Sequence, residues 1–288
     1  PFTGGSRRRG MIQDIGEHTF DNQYHPCPPD RESYALYYED HAALVRKYPD
    51  RIEFPKFRDI ERLNEDIYED AVYLFSIDGE RYYLVEEINR ERQSHFTMEN
   101  TEIFRYAEPQ YLAFAGITGY QLHNWYQSRR FCGKCGRRMK KDSKERMLYC
   151  ESCHNMEFPK ICPAVIIGVT DGDKILMSKY AGRTYKKYAL LAGFTEIGET
   201  LEETVQREVM EEVGLKVKNI RYYKSQPWSF TDTLLMGFYC DLDGEAAITL
   251  DREELAMAEW FQRDEIPVEP ERDSITNEMI IRFKNGEV

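Results

Sequence analysis

The sequence predicts an α/β (α+β) chain in three segments: a β-rich N-terminal domain ending in a helix over residues 1–128, a small cysteine-bound module over 129–161, and a domain of strands and helices over 162–288. Three observations carry this reading. Short aromatic and β-branched runs, separated by turn residues, fill the first segment. Two CxxC pairs fall in the second. In the third, an apolar strand pattern precedes a helix with an apolar residue at every fourth position.

The chain has 288 residues, 41% hydrophobic and 31% charged, which suffices for a sizeable core under a well-solvated surface. No apolar run approaches the roughly 20 residues that span a bilayer, and the first 30 residues lack the apolar stretch of a signal peptide. A cytoplasmic protein away from membranes is the expectation. Residues 1–10, with Arg7, Arg8 and Arg9 ahead of Met11, are expected to be a cloning remnant and are set aside.

The net charge of −12 is unevenly placed. Residues 1–128 carry 14 basic and 23 acidic side chains, 129–161 carry 10 and 4, and 162–288 carry 15 and 24. Four of the seven cysteines lie in the basic block, while Cys27, Cys162 and Cys240 are scattered. An odd count clustered in this way argues for metal binding in a reducing cytosol over a disulfide framework.

In the first segment, strands are predicted at 33–38, 52–57, 71–77 and 81–86, with Asp78-Gly79 as a turn. From Pro109 the period changes. Leu112, Ala115, Gly119, Leu122, Trp125 and Tyr126 recur at spacings of three and four, as on an amphipathic helix leading to Cys132.

Cys132-Gly133-Lys134-Cys135 and Cys150-Glu151-Ser152-Cys153 are separated by fourteen residues. Each pair offers two thiolates from one tight turn, and four close a tetrahedral shell around Zn²⁺, so a zinc ribbon with a structural zinc is expected. A closed shell leaves no position for water, and His154 would be a fifth ligand, so it reads as a bystander. Arg137, Arg138, Lys140, Lys141 and Lys144 lie between the pairs. They read as a solvated face that offsets the thiolate charge, or else as a surface attracting RNA or the phosphates of a substrate.

The third segment opens on a buried-strand pattern at 164–169, a hairpin turn at Asp171-Gly172-Asp173 and a return strand at 174–179. A helix is predicted over 200–213, where Leu201, Val205, Val209 and Val213 form one stripe. At 100° per residue, Glu208, Glu211 and Glu212 fall within an arc of about 100° on an adjoining face. Like charges at these spacings repel, and a hard divalent cation such as Mg²⁺ or Mn²⁺ would compensate. Arg207 can orient one carboxylate from the side. Gly193 and Gly214 bracket the helix, where close approach or positive φ favours glycine.

Gly193, five residues, Glu199, seven residues, Arg207-Glu208, an aliphatic residue, any residue, Glu211-Glu212, any residue, Gly214 and an aliphatic residue resemble the Nudix box at every defined position. The resemblance implies a Nudix fold, a mixed sheet packed between helices, and hydrolysis of a nucleoside diphosphate linked to another moiety, with metal neutralising diphosphate oxygens and positioning a water for in-line attack on phosphorus. With the preceding ribbon, the joining stretch Phe158-Pro159-Lys160-Ile161-Cys162-Pro163 and Ser225-Gln226-Pro227-Trp228, the chain from about Tyr120 onward is similar to the NADH pyrophosphatase family of Nudix hydrolases. That likeness implies cleavage of NADH or NAD⁺ to a nicotinamide mononucleotide and AMP, removal of NAD caps from RNA 5′ ends, and a homodimer.

The same likeness assigns site residues by position. Glu208, Glu211 and Glu212 match metal-binding carboxylates, with the Ala192 carbonyl completing the shell, and Glu254 matches an acidic residue that binds metal or acts as base. Glu211, Glu212 and Glu254 are the implied catalytic set. Phe194 and Phe158 match aromatic positions that sandwich a base, one from each subunit. Gln226, Trp228 and Thr233 match the substrate loop, and Glu145 and Thr276 match weaker contacts. One departure stands out: where the family continues Pro-Trp with Pro-Phe-Pro-x-Ser, this chain has Ser229-Phe230-Thr231-Asp232-Thr233, which loosens the loop and adds a negative charge. The neighbouring alternatives are a Nudix pyrophosphatase for ADP-ribose or dinucleoside polyphosphates, or a non-catalytic NAD-sensing nucleic-acid-binding regulator.

Overall fold

A computed structural model describes residues 10–89, 95–182, 187–271 and 274–288. The arginine run at 7–9 lies outside the described residues. The chain divides into two compact units, one running to Lys160 and including Ser229–Thr231, the other comprising Ile161–Trp228 and Asp232–Val288.

The first unit is built on a seven-stranded sheet. Its strands are β1 (Phe20–Asp21), β2 (Tyr34–Glu39), β3 (Ala42–Lys47), β4 (Ile52–Glu53), β5 (Val72–Ile77), β6 (Glu80–Val85) and β7 (Thr97–Asn100). They run in the order β1-β5-β6-β2-β3-β4, with β7 on β3 and β2 parallel to β6. β1, β3 and β7 lie outside the expected strands. β3 follows a tight turn in which Asp40 takes a left-handed φ of 51°, a turn that carries neither Gly nor Pro to announce it. The expected strand at 52–57 shrinks to two residues. Pro55 cannot donate to a ladder, and Lys56 N–H is capped by the Asp59 carboxylate at 2.9 Å, which starts the short helix α1 (Phe57–Ile60).

Helix α2 (Gln110–Ser128) buries Ala113, Phe114, Gly116, Ile117, Tyr120 and His123 as well as all of the expected stripe. It is an enclosed helix, not an amphipathic one, because strands and the short 3₁₀ turn at Thr101–Arg105 pack around it. Beyond it, β8 (Lys140–Lys141), β9 (Leu148–Tyr149) and β10 (Met156–Glu157) form a three-stranded antiparallel sheet. Cys132, Met139, Leu148 and Cys150 of this ribbon are buried in one cluster with Leu112, Trp125 and Tyr126 of α2.

The second unit is a mixed sheet of β11 (Cys162–Asp171), β12 (Lys174–Tyr180), β13 (Leu191–Phe194), β14 (Val217–Trp228), β15 (Thr233–Leu242) and β16 (Leu255–Gln262). β11 and β15 are parallel and the other pairs antiparallel. Alternation along β11 sends Val165, Ile167 and Val169 to one face, where Val205, Val209 and Val213 of α3 (Leu201–Val213) join them in one core. On the other face α4 (Ile275–Lys284) covers the sheet, with the Tyr239 hydroxyl donating to the Met279 carbonyl at 2.9 Å. The mixed sheet between helices is the fold class that the Nudix resemblance implies.

Candidate active site on helix α3

Helix α3 begins where its own side chains close the first turn. Thr200 Oγ1 accepts from Glu203 N–H at 3.2 Å while the Glu203 carboxylate accepts from Thr200 N–H at 2.8 Å, so two otherwise orphaned donors are satisfied. It ends at Gly214, in the left-handed region at φ 70°. Between these caps the valine stripe fixes the rotation of the helix, which carries Glu208 and Glu212 inward, to 8% and 2% exposure, and leaves Glu211 exposed.

The Glu208 carboxyl lies against Gly193 of β13, where a Cβ would sit 1.9 Å from its carboxyl carbon. Only glycine fits there. Gly193 is paired to Val165 and Ala192 to Ile166, so the β11 ladder sets the wall that faces the helix. Burial pushes the Glu208 carboxyl up; Arg207 pulls it back, and the charges of Glu211 and Glu254 add to the rise. Glu254 is exposed in the turn before β16 and is held by its carbonyl, which accepts from Ala181 N–H at 2.9 Å.

Arg207 ties these groups together. Nη1 donates to Glu208 at 2.8 Å and Glu211 at 3.0 Å, Nε to Glu199 at 2.5 Å, and Nη2 to Glu199 and to the Phe194 carbonyl at 3.0 and 2.9 Å. The guanidinium holds the Glu199 carboxyl down at about 2. Sequence reasoning gave Arg207 one carboxylate to orient and gave Glu199 no task, although Glu199 occupies a defined position of the box. The fork joins the entry loop to the helix and leaves the oxygens of several carboxylates around a single cation. A hard divalent cation suits that donor set and the surplus of negative charge.

Other expected site residues are placed differently. Phe194 closes β13 and is exposed, as is Phe158 in the first unit. Gln226 is fully buried, and its Oε1 accepts from Ile275 N–H at 2.8 Å, serving as a cap for α4. Thr276 is the next residue on that helix and is partly buried. Trp228 and Thr233 pair across the β14–β15 ladder, and Thr233 is buried. Glu145 is exposed in the ribbon loop of the first unit, its N–H bonded to Asp142.

The four ribbon sulfurs of Cys132, Cys135, Cys150 and Cys153 lie within 4.8 Å of one another, a fit to one tetrahedral zinc. The two knuckles are built alike. Gly136 N–H donates to the Cys132 carbonyl at 2.8 Å and His154 N–H to that of Cys150 at 2.9 Å, each with positive φ. His154 is thus the turn residue that Gly136 is in the other knuckle. Burial disfavours the Cys132 thiolate, but N–H groups of Lys134 and Cys135 outweigh it and bring the thiol down. At Cys153 the Asn155 N–H is outweighed by burial and by hydrogen bonds from the neighbouring thiols, which push that thiol up.

Comparison with known proteins agrees with this arrangement. Residues 160–283 match the NUDIX domain, and residues 127–158 match the NADH pyrophosphatase zinc ribbon domain. The chain is 41% identical over 162 residues to an NAD-capped RNA hydrolase NudC of Photorhabdus laumondii, an alignment covering 56% of this chain and 63% of that protein. It is 40% identical over 163 residues to the NudC of Klebsiella pneumoniae strain 342, covering 56% and 63%. The matched stretch therefore spans less than two thirds of these relatives. A Nudix hydrolase structure from Nitrosomonas europaea aligns with 54% of this chain and 90% of its own, at 24% identity and a TM-score of 0.47. The chain is a Nudix-domain protein that carries, just ahead of that domain, a zinc ribbon of the NADH pyrophosphatase type.

Proposed function

We propose that this protein is a divalent-metal-dependent diphosphatase that cleaves NADH or NAD⁺ to a nicotinamide mononucleotide and AMP and removes NAD caps from RNA 5′ ends. The observation that carries the reading is the buried Glu208 carboxyl, seated against Gly193 beside Glu212 and gripped by Arg207. The named activity of the NudC relatives adds the substrate class.

Glu208, Glu211, Glu212, Glu254 and the Ala192 carbonyl are the groups to hold Mg²⁺ or Mn²⁺. Such a cation supplies charge neutralisation at the diphosphate oxygens and a more acidic water. Arg207 keeps Glu208 and Glu211 in register so that little reorganisation is needed on binding. Glu254, exposed at the rim, is the base candidate. Phe158 and Phe194 are the stacking pair for a base, drawn from two copies of the chain in a cytoplasmic homodimer, while Gln226 acts on the substrate loop through its hold on α4.

The deciding experiment is a substrate panel on purified protein: NADH, NAD⁺, NAD-capped RNA, ADP-ribose and dinucleoside polyphosphates, with Mg²⁺ or Mn²⁺. Glu212→Gln should abolish turnover on whichever substrate is best while circular dichroism stays unchanged, and Glu254→Gln should slow it strongly. Near wild-type rates in both variants would overturn the site. A preference for ADP-ribose would keep the chemistry and replace the substrate.

A further inference from the structure

The end of α2 and the ribbon form a half-open cavity of about 60 Å³. That is room for several waters or for one tetrahedral oxyanion. Four cationic side chains line it, Arg129, Arg130, Arg138 and Lys141, against one carboxylate, Glu86. Its apolar base comes from Tyr126 and Leu148, both buried.

Backbone bonds anchor the residues that carry these cations, of which Arg130, Arg138 and Lys141 are themselves exposed. Arg129 N–H caps α2 on the Trp125 carbonyl at 3.1 Å, Met139 N–H donates to the Arg130 carbonyl at 2.9 Å, and Phe131 forms an antiparallel bridge with Arg138. Two cations have acidic partners: Lys141 Nζ lies 3.7 Å from Glu86 and Arg129 Nε 3.5 Å from Glu157. Among the described residues, Arg130 and Arg138 have no carboxylate within ion-pair distance. Both guanidinium groups belong to residues that line one concave site, and their planar donors match phosphate oxygens in pairs. Offsetting the thiolate charge of the zinc cluster would need positive charge nearby but no cavity. Lys140, which bonds Glu151 at 2.8 Å, and Lys144 supply such charge outside it.

We propose that this cavity binds a phosphate oxyanion, either a backbone phosphodiester of single-stranded RNA or free inorganic phosphate. The site goes beyond the hydrolase reading and does not depend on the carboxylate helix.

The test uses the zinc-loaded full chain. Titration calorimetry with inorganic phosphate should show saturable binding, weakened at least tenfold in Arg130→Gln/Arg138→Gln and unchanged in Lys144→Gln. Fluorescence anisotropy with a short 5′-hydroxyl RNA separates the sources. A tenfold loss in the double variant, with the slope of log affinity against log salt reduced by about 1 to 2, assigns the RNA backbone; an unaltered RNA affinity alongside lost phosphate binding assigns the free anion. Should the double variant lose zinc or secondary structure, phosphate protection of Arg130 and Arg138 in the wild type against an arginine-modifying dicarbonyl, read by mass spectrometry, replaces it. Phosphate and RNA binding equal in the wild type and the double variant, an equal loss in Lys144→Gln, or no protection overturns the proposal.

Discussion

At Gly193 the seating of the Glu208 carboxyl depends on a missing atom. Its backbone is not in the left-handed region, so alanine is conformationally acceptable there, yet the added Cβ would meet the Glu208 carboxyl at 1.9 Å. Gly193→Ala should therefore displace that carboxyl, lowering turnover at least tenfold, about 1.4 kcal/mol of barrier, with the fold intact by circular dichroism. His123 makes a second residue-scale case. Burial between Tyr38 and Tyr120 brings its imidazole down to about 4, with Glu86 opposing and Arg130 assisting. Between pH 6.5 and about 4 the unfolded chain takes up a proton that the folded one refuses, so stability falls as pH drops through that window and then levels. The loss should be about 1 to 3 kcal/mol, read from urea midpoints against pH, and His123→Phe should flatten the curve. An unchanged slope in that variant would remove His123 as the cause.

Among the elements, α3 shows how caps and stripe share the work. Thr200→Ala removes one half of a reciprocal cap and should cost about 1 kcal/mol. Gly214→Ala should cost at least as much, because φ is 70° and the new Cβ would meet Thr249 at 3.0 Å. Denaturant midpoints check both. Arg207→Lys keeps the charge but replaces a five-donor fork by a point. The Glu199 carboxyl should then rise from about 2 toward its ordinary value, which carbon-detected NMR titration would follow, and activity should fall with it. A Glu199 titration unmoved by the change would mean that Arg207 does not organise the entry loop.

For the molecule, the first unit stakes its core on the ribbon. Cys132, Cys150, Met139 and Leu148 sit in the same buried cluster as Trp125 and Tyr126, and Arg146 reaches from the ribbon to Asn22, its guanidinium over the Tyr24 ring. Zinc binding and the folding of this unit are therefore coupled. Chelation, or Cys132→Ser, should expose residues up to Lys160 to proteolysis well before 161–288. Equal protection of both stretches after zinc loss would count against that coupling.

What the sequence determined alone is whatever rests on short-range spacing. Two CxxC pairs dictate a four-sulfur cluster, and a four-residue valine period dictates which face of α3 is buried and where its glutamates point. The opening strands β11 and β12 follow from apolar runs and a turn of the same local kind, whereas the mixed sheet is implied only by the resemblance of the box around α3. Tertiary structure decided the rest. That α2 is enclosed on several faces depends on strands far along the chain, and no periodicity within the helix records them. Gln226 becomes a helix cap because β14 brings it to the start of α4, forty-nine residues on. Arg130 and Arg138 come to line one cavity only when the ribbon folds back on the end of α2. Contacts between distant segments form from the packing of whole elements, so the residues that make them carry no local mark.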